Sequence, residues 1–125
     1  MLVIRLADTD EARRFCAEAK IPYETGVMAC QAVEGGCGAG FVLFRAAGEE
    51  LELLGTDCPP ALLDGLLRAA INRGAAAGLV RFCFASSMQG WAGQLERLGY
   101  PPPGTPADIQ GFFARGCRQI SEEIR

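Results

Sequence analysis

Residues 53–65 read LLGTDCPPALLDG, and the interpretation of the rest of the chain depends on this stretch. The stretch from Leu51 to Leu54, apolar except for Glu52, is typical of a short strand, and a polar turn follows it. Pro59 and Pro60 come next, and proline suits a first helical position because its missing N–H would be unpaired there. The sequence therefore predicts a strand that passes directly into a helix.

The predicted helix has a broad apolar stripe, formed by Leu62, Leu63, Leu66, Leu67, Ala70 and Ile71. Its end has two interpretations: closure at Gly78 with a left-handed cap, or an earlier stop at Gly74. Leu79 to Ala85 is apolar at nearly every position, which predicts a central strand covered on both faces. The next helix presents Trp91, Leu95 and Leu98 and ends at Gly99, and Ser86 or Ser87 is placed to cap it.

The N-terminal half predicts a strand, a helix and a three-stranded meander. Leu2–Leu6 is the first strand, and the acidic residues 8–11 start a helix that runs to about Lys20. The helix has an apolar face made of Ala12, Phe15, Cys16 and Ala19. Turn residues then separate three short strands, which are predicted at Val27–Val33, Phe41–Ala46 and Leu51–Leu54. The glycine-rich run 35–40 is typical of a hairpin turn, since no helix and no P-loop lysine follow it as a phosphate cradle requires.

The tail has two readings. Thr105, Pro106 and Asp108 match an N-cap, a proline at the first helical position and an acid at the third, which favours a helix. Ile109, Phe112, Phe113 and Cys117 would then share one face. A strand from Gly111 to Arg115 is the alternative.

Composition sets bounds on the functional class. The chain has 125 residues, 50% of them hydrophobic, and a formal net charge of -3, which suits one globular domain over residues 1–125. This charge argues against a nucleic-acid partner, and no polybasic or long apolar stretch indicates a membrane partner. The apolar start Met1–Ile4 is too short for a signal peptide, so we expect a cytoplasmic location.

Cysteine and histidine usage restricts the chemistry further. The six cysteines have no C-x-x-C spacing and lie mostly in apolar segments, which favours reduced structural thiols over disulfides or a metal site. Histidine is absent, which excludes nucleophile systems that use a histidine base. We expect no metal cofactor.

The order of elements, together with residues 53–59 (LLGTDCP) and 95–100 (LERLGY), resembles the GNAT N-acetyltransferase superfamily. The resemblance covers residues 1–100 in element order and is most specific from Phe41 to Tyr100. It implies an α/β (α+β) acyl-CoA N-acyltransferase fold, with a mixed, mostly antiparallel sheet flanked by helices. It also implies acetyl-CoA or another acyl-CoA as cofactor, a small-molecule amine or a protein as partner, and is compatible with a homodimer.

The resemblance marks Leu54, Gly55, Thr56 and Gly65 as candidate cofactor-binding residues. In the family, a glycine-containing loop at a helix start binds the CoA pyrophosphate through backbone N–H groups. Here residues 60–65 match that loop only at Gly65, the two prolines remove N–H donors, and Asp57 and Asp64 add negative charge. Leu95 stands where many members have a tyrosine acid, and Met88 or Gln89 stands near the place of a frequent asparagine.

Three hypotheses follow. The first is a GNAT-like binding or interaction module with weakened or lost acyl-CoA binding, and the second is a working acyl-CoA-dependent N-acetyltransferase. The third is a thiol function at Cys58, whose pKa a helix start would lower. The weak catalytic candidates are Ser86, Ser87 and Cys58, although serine at such a position is more often a helix cap. Glu49, Glu50 and Glu52 are more typical of a solvated edge than of an amine site.

Overall fold

A computed structural model describes residues 1–114 of the chain. The chain begins with β1 (Leu2–Leu6), α1 (Thr9–Ala19), β2 (Met28–Glu34), β3 (Cys37–Ala47) and β4 (Glu50–Asp57). It continues with α2 (Pro60–Ala76), β5 (Arg81–Phe84), a 3₁₀ helix (Ser86–Trp91), α3 (Ala92–Arg97) and β6 (Ala107–Asp108). Residues 109–114 are helical.

The six strands form one sheet in the order β1-β2-β3-β4-β5-β6. The β1–β4 strands pair antiparallel, β4 and β5 pair parallel, and β5 and β6 pair antiparallel. The parallel pair is connected through α2, as a crossover between parallel strands requires. The predicted meander and the mixed, mostly antiparallel sheet are confirmed.

The helices α1 and α2 begin with the capping residues and the proline that the sequence predicted. In α1, Asp8 accepts a hydrogen bond from the backbone N–H of Glu11, whose side chain accepts from the backbone N–H of Asp8. This capping box satisfies two N–H groups at the start of the helix. In α2, Pro60 is the first residue, and the helix passes Gly74 before Gly78 adopts a φ of 89°. The interpretation in which α2 continues past Gly74 is confirmed.

The helices cover the two faces of the sheet unequally. On one face α2 packs its buried residues Leu63, Leu66, Leu67, Ala70 and Ile71 into a core that also holds Phe82, Phe84, Met88, Leu95 and Tyr100. On the other face the shorter α1 buries Ala12, Phe15 and Cys16 over Ala29, Phe41, Leu43 and Leu54. We call these the α2 face and the α1 face.

Three sequence predictions in the C-terminal part are wrong. Neither Ser86 nor Ser87 caps a helix through its side chain, because the segment after β5 is a 3₁₀ helix that begins at Ser86 and has Ala85 as its N-cap. Leu98 is 39% exposed and does not face the core with Leu95. The strand β5 is fully covered on one face only, since Phe82 and Phe84 are buried, whereas on the other face Arg81 is exposed and Cys83 is half-buried.

The start of the last helix also differs from the prediction. Ala107 and Asp108 pair with β5 as a short strand, so Pro106 lies before the helix and not inside it. Asp108 accepts a hydrogen bond from the backbone N–H of Gly111 at 2.7 Å and is therefore the cap that the sequence assigned to Thr105. Residues 111–114 are helical and not extended, and the predicted positions Arg115 and Cys117 lie outside the described residues.

Candidate functional site

The end of β4 leads directly into α2, and most of the predicted site residues lie at this junction. Between β3 and β4 the register shifts, so that Leu43 pairs with Gly55 and Phe44 with Leu53, which leaves Leu54 as an extra residue. The parallel ladder with β5 ends at Leu53 and Phe84. The last four residues of β4 therefore extend beyond β5.

The chain itself uses the carbonyl groups at the start of this extension. The backbone N–H of Ala85 donates to the Leu53 carbonyl at 2.8 Å. The Ser87 hydroxyl donates to the Leu54 carbonyl. Ser87 therefore connects the 3₁₀ helix to β4, whereas Ser86 is exposed and makes no such bond within residues 1–114.

Gly55 and Thr56 are both held by packing. A Cβ atom on Gly55 would lie 2.2 Å from the Cδ1 atom of Ile21, so the α1–β2 connection lies directly over this glycine. The Thr56 hydroxyl is buried and donates to the Phe41 carbonyl at 2.6 Å. Both residues are thus part of the contact between β4 and its neighbours.

The start of α2 has few N–H groups to offer. Pro59 and Pro60 have none, and the N–H of Leu62 donates to the Pro59 carbonyl at 2.9 Å. Gly65 lies further along the helix, where a Cβ would be 3.2 Å from the Cδ1 atom of Ile4. The absence of a side chain at Gly65 therefore lets α2 approach β1.

Asp64 does not lie as an unpaired charge at this junction. Its Oδ1 atom accepts a hydrogen bond from the Tyr100 hydroxyl at 2.7 Å, and its Oδ2 atom lies 3.0 Å from Nε of Arg68. Burial and this contact with Asp64 raise the pKa of Tyr100, so the phenol holds its proton. The prediction that Asp64 opposes an anion needs correction, since Arg68 pairs with its charge and the neutral Tyr100 hydroxyl donates a hydrogen bond to it.

Cys58 does not have the activated thiol that a helix start suggested. Burial of the side chain raises its pKa, while the hydrogen bond with Thr56 lowers it and the charge of Asp57 raises it. The two prolines that follow provide no N–H groups at the first positions of α2. The prediction of a lowered pKa for Cys58 is therefore wrong.

Two cavities open on the α1 face. The upper cleft has a volume of about 510 Å³ and lies between α1, the start of β3 and the end of β4; it is lined by Arg14, Phe15, Glu18, Gln31, residues 38–41 and residues 57–59. The strand-end pocket has a volume of about 290 Å³ and lies below it, where β5 ends; it is lined by residues 20–22, Glu24, Arg45, Glu52, Leu54 and residues 85–87.

An ion network crosses the strand-end pocket. Arg45 contacts Glu24 at 2.8 Å through one guanidinium nitrogen and Glu52 at 3.2 Å through the other. The Glu52 side chain is only 26% exposed, so it belongs to the pocket more than to the solvated edge predicted for residues 49–52. Arg45 was not among the residues predicted from the sequence, where its only signal is a single charge in the otherwise apolar run of β3.

A buried amide forms part of the wall of the upper cleft. Gln31 is only 4% exposed, and its Nε2 atom donates a hydrogen bond to the Glu11 carboxylate at 2.5 Å. That bond, together with one from the Asp8 backbone, holds the pKa of Glu11 below its usual value. Gln31 was not predicted either, although a lone amide in the apolar run of β2 is a signal of a functional side chain.

The described residues indicate neither a metal site nor a membrane span. Within residues 1–114, no group of three or more metal-binding side chains could hold an ion. No helix in the same range is long and apolar enough to cross a bilayer. The five cysteines in this part of the chain are free thiols.

Comparison with known proteins gives a result at the level of structure alone. No protein-family model matches the chain, and no curated protein matches it significantly. Among solved structures, it is similar to the ribosomal-protein-S18-alanine N-acetyltransferase from Escherichia coli (TM-score 0.57, 16% identity, 79% of this chain and 77% of that chain). It is also similar to an IAA acetyltransferase from Bacillus cereus (TM-score 0.56, 15% identity, 79% and 76% coverage).

A third similar structure was solved with the cofactor bound. The aminoglycoside N-acetyltransferase AAC(6')-Iy, in complex with CoA, has a TM-score of 0.61 and 12% identity, with 84% of this chain and 91% of that chain covered. At such low identity these likenesses establish the fold and not the activity. The chain therefore has the GNAT N-acetyltransferase fold that its sequence predicted.

Proposed function

We propose that this chain is a GNAT-fold binding or interaction module in which affinity for acyl-CoA is weakened or lost. The observation that carries the proposal is the pair of bonds at the end of β5, where Ala85 and Ser87 donate to the carbonyls of Leu53 and Leu54. These two acceptors are satisfied within the chain. The Ser87 hydroxyl occupies one lone pair of the Leu54 carbonyl, so a pantetheine arm that donates to this carbonyl would have to share it with Ser87 or displace the hydroxyl.

The helix start supports the same proposal. A diphosphate at a helix N-terminus is bound by successive N–H groups, and here the N-cap residue Pro59 and the first helical residue Pro60 have none. The exposed carboxylate of Asp57 lies next to them. One unit charge at about 4–6 Å from another costs on the order of a kcal/mol near a protein surface, so Asp57 opposes a diphosphate. These residues do not fit a tightly bound acyl-CoA.

The alternative function is a working N-acetyltransferase, and the strand-end pocket favours it. The pocket places the Glu52 carboxylate beside the end of β5, where Ser86 and Ser87 also lie. A carboxylate there could accept a proton from an ammonium group on a small molecule or a protein. Acyl-CoA would supply the acyl group, and the chain would hold it through residues 54–56 and the N–H group of Ala61.

The wider setting remains part of the proposal. It assigns residues 1–125 to one domain in the cytoplasm, with a small-molecule amine or a protein as partner. It includes no nucleic acid, no membrane and no metal, and it leaves a homodimer open.

Calorimetric titration with acetyl-CoA tests the proposal. We expect no saturable binding of acetyl-CoA up to about 1 mM, a limit that corresponds to about -4 kcal/mol of binding free energy. Ser87→Ala removes the donor to Leu54, and Pro60→Ala adds one N–H at the helix start, so the double variant should bind at least as well as the natural chain. Micromolar binding by the natural chain would contradict the module proposal.

The alternative has its own readout. If the strand-end pocket catalyses transfer, Glu52→Gln should lower the rate of thiol release from acetyl-CoA with an amine acceptor by about 100-fold, a usual contribution of a general base. Glu49→Gln, an exposed acid at the β3–β4 turn, is the matched control and should leave the rate unchanged. No transfer above the uncatalysed rate would remove the alternative.

A further inference from the structure

The upper cleft contains a stretch of strand edge that no other strand uses. The strand β3 begins at Cys37, but its ladder with β4 ends at the pair Phe41–Asp57. Residues 37–40 therefore pair with β2 on one side only. Within them the register shifts, because Ala32 pairs with Gly40 and Val33 with Gly38, so Ala39 is an extra residue.

The side chains along this edge are small, which keeps the cleft open. A Cβ added to Gly38 would meet no atom within 4 Å. Phe41, at the inner end of this stretch, stacks on Phe15 with ring centroids 4.3 Å apart. Gly40 lies against Cys58, so the open part of this backbone edge is residues 37–39, and the stacked rings of Phe15 and Phe41 lie at its inner end.

Gln31 provides a second, independent feature. Its Nε2 atom is committed to Glu11, so the other atom of the amide is the acceptor oxygen Oε1. Within residues 1–114, Oε1 accepts no hydrogen bond and yet is not sealed off from the cleft. Gln31 is only 4% exposed, yet its Oε1 atom remains available to a hydrogen-bond donor of a ligand.

The charges around the cleft select the type of donor. Glu18 and Asp57 line it, and among the described residues neither forms an ion pair. The one basic lining residue is Arg14, whose guanidinium lies 5.4 Å from the centre of the Phe15 ring. Two carboxylates, one guanidinium and a free amide oxygen favour a ligand with a cationic donor.

We propose that the upper cleft binds an extended peptide segment of another protein that carries a basic side chain. A strand edge alternates N–H and C=O groups, and another extended backbone is the ligand whose polar groups match that alternation. The basic side chain would reach the Oε1 atom of Gln31 and the carboxylates of Glu18 and Asp57. This inference rests on the proposed function and names the partner class of the module.

Selection from a phage-displayed random heptapeptide library, without any acyl-CoA, tests the proposal. We expect recovered sequences to be enriched in lysine or arginine. A synthetic recovered peptide should shift the backbone amide signals of residues 38–40 and Gln31 in an NMR titration. Replacing its basic residue with glutamate should weaken binding at least tenfold, which is about 1.4 kcal/mol. A selection that yields no basic enrichment, or shifts outside the cleft, would overturn the proposal.

Two variants, each with a matched control, distinguish peptide binding in the cleft from peptide binding elsewhere on the protein. Gly38→Val fills open space on a strand and should abolish binding without unfolding the chain, whereas Gly90→Ala, which also meets no atom within 4 Å, is the control outside the cleft. Asp57→Asn should weaken the basic peptide at least threefold, and Asp10→Asn on the exposed surface should not. Unchanged binding by Gly38→Val, or equally tight binding of butylammonium, would refute a peptide site.

The outcomes distinguish this inference from the proposed function. Tight acetyl-CoA binding together with peptide binding would overturn only the statement about the cofactor. If no basic peptide is selected and acetyl-CoA does not bind, the peptide inference is wrong and the statement about the cofactor stands.

Discussion

The two faces of the sheet differ in how completely they are covered. On the α2 face, a helix of 17 residues packs on the sheet, and the aromatic rings of Phe82, Phe84, Tyr100 and Phe112 contact one another at its edge. On the α1 face, a helix of 11 residues leaves the upper cleft and the strand-end pocket open. The comparison indicates that the larger core lies on the α2 face and that the two cavities nearest the predicted site residues lie on the α1 face.

The largest expected effect is on the α2 face. Leu67→Ala removes a side chain with 0% exposure, and the cavity should lower the free energy of unfolding by about 3–4 kcal/mol. Leu54→Ala, at the margin of the α1 face with 6% exposure, should cost about 2 kcal/mol because the open pocket lets the site relax. Urea denaturation measures both, and equal losses would contradict the difference between the faces.

A smaller effect is expected at the bond between Tyr100 and Asp64. Tyr100→Phe removes a donor to a partly exposed carboxylate and should cost about 1–2 kcal/mol. The folded state raises the pKa of Tyr100 above the usual 10.0, so this stabilisation is present below pH 10 and is lost as the pH rises further. Denaturation at several pH values should show stability falling above pH 10 more steeply in the natural chain than in Tyr100→Phe. Parallel alkaline limbs would contradict this account.

The smallest effect concerns the reactivity of a thiol. Because burial raises the pKa of Cys58, we expect its alkylation at neutral pH to be slower than that of a free model thiol. Mass spectrometry after timed iodoacetamide treatment compares Cys58 with Cys37, which is exposed and serves as the internal control. Faster reaction at Cys58 than at Cys37 would revive the thiol function.

The sequence predicted the fold well where local signals and tertiary packing agree. The prolines at 59–60 and the capping residues of α1 restrict the backbone by themselves, and Gly35 and Gly36 permit the positive φ of a tight turn. The structure has all of them in the expected elements. The serines after β5 failed as caps because a 3₁₀ turn directs Ser87 to a carbonyl on another strand. No pattern within the segment encodes that distant acceptor.

The candidate site was less predictable than the fold for the same reason. Asp64 and Tyr100 are 36 residues apart, and only tertiary packing brings the phenol to the carboxylate. Gln31 and Glu11 are likewise separated by 20 residues. Charge counted along the chain therefore overestimated the negative potential at the start of α2, and the upper cleft was not foreseen.

An NMR titration with acetyl-CoA, read at each backbone amide, tests the central claim most directly. The account holds that Ala85 and Ser87 already donate hydrogen bonds to the Leu53 and Leu54 carbonyls. The signals of residues 54–56, 61–63 and 87 should then show no saturable change up to about 1 mM acetyl-CoA. This limit corresponds to a binding free energy of about -4 kcal/mol. Saturable shifts at those residues with a micromolar midpoint would show that the groove accepts the cofactor, and would contradict the account.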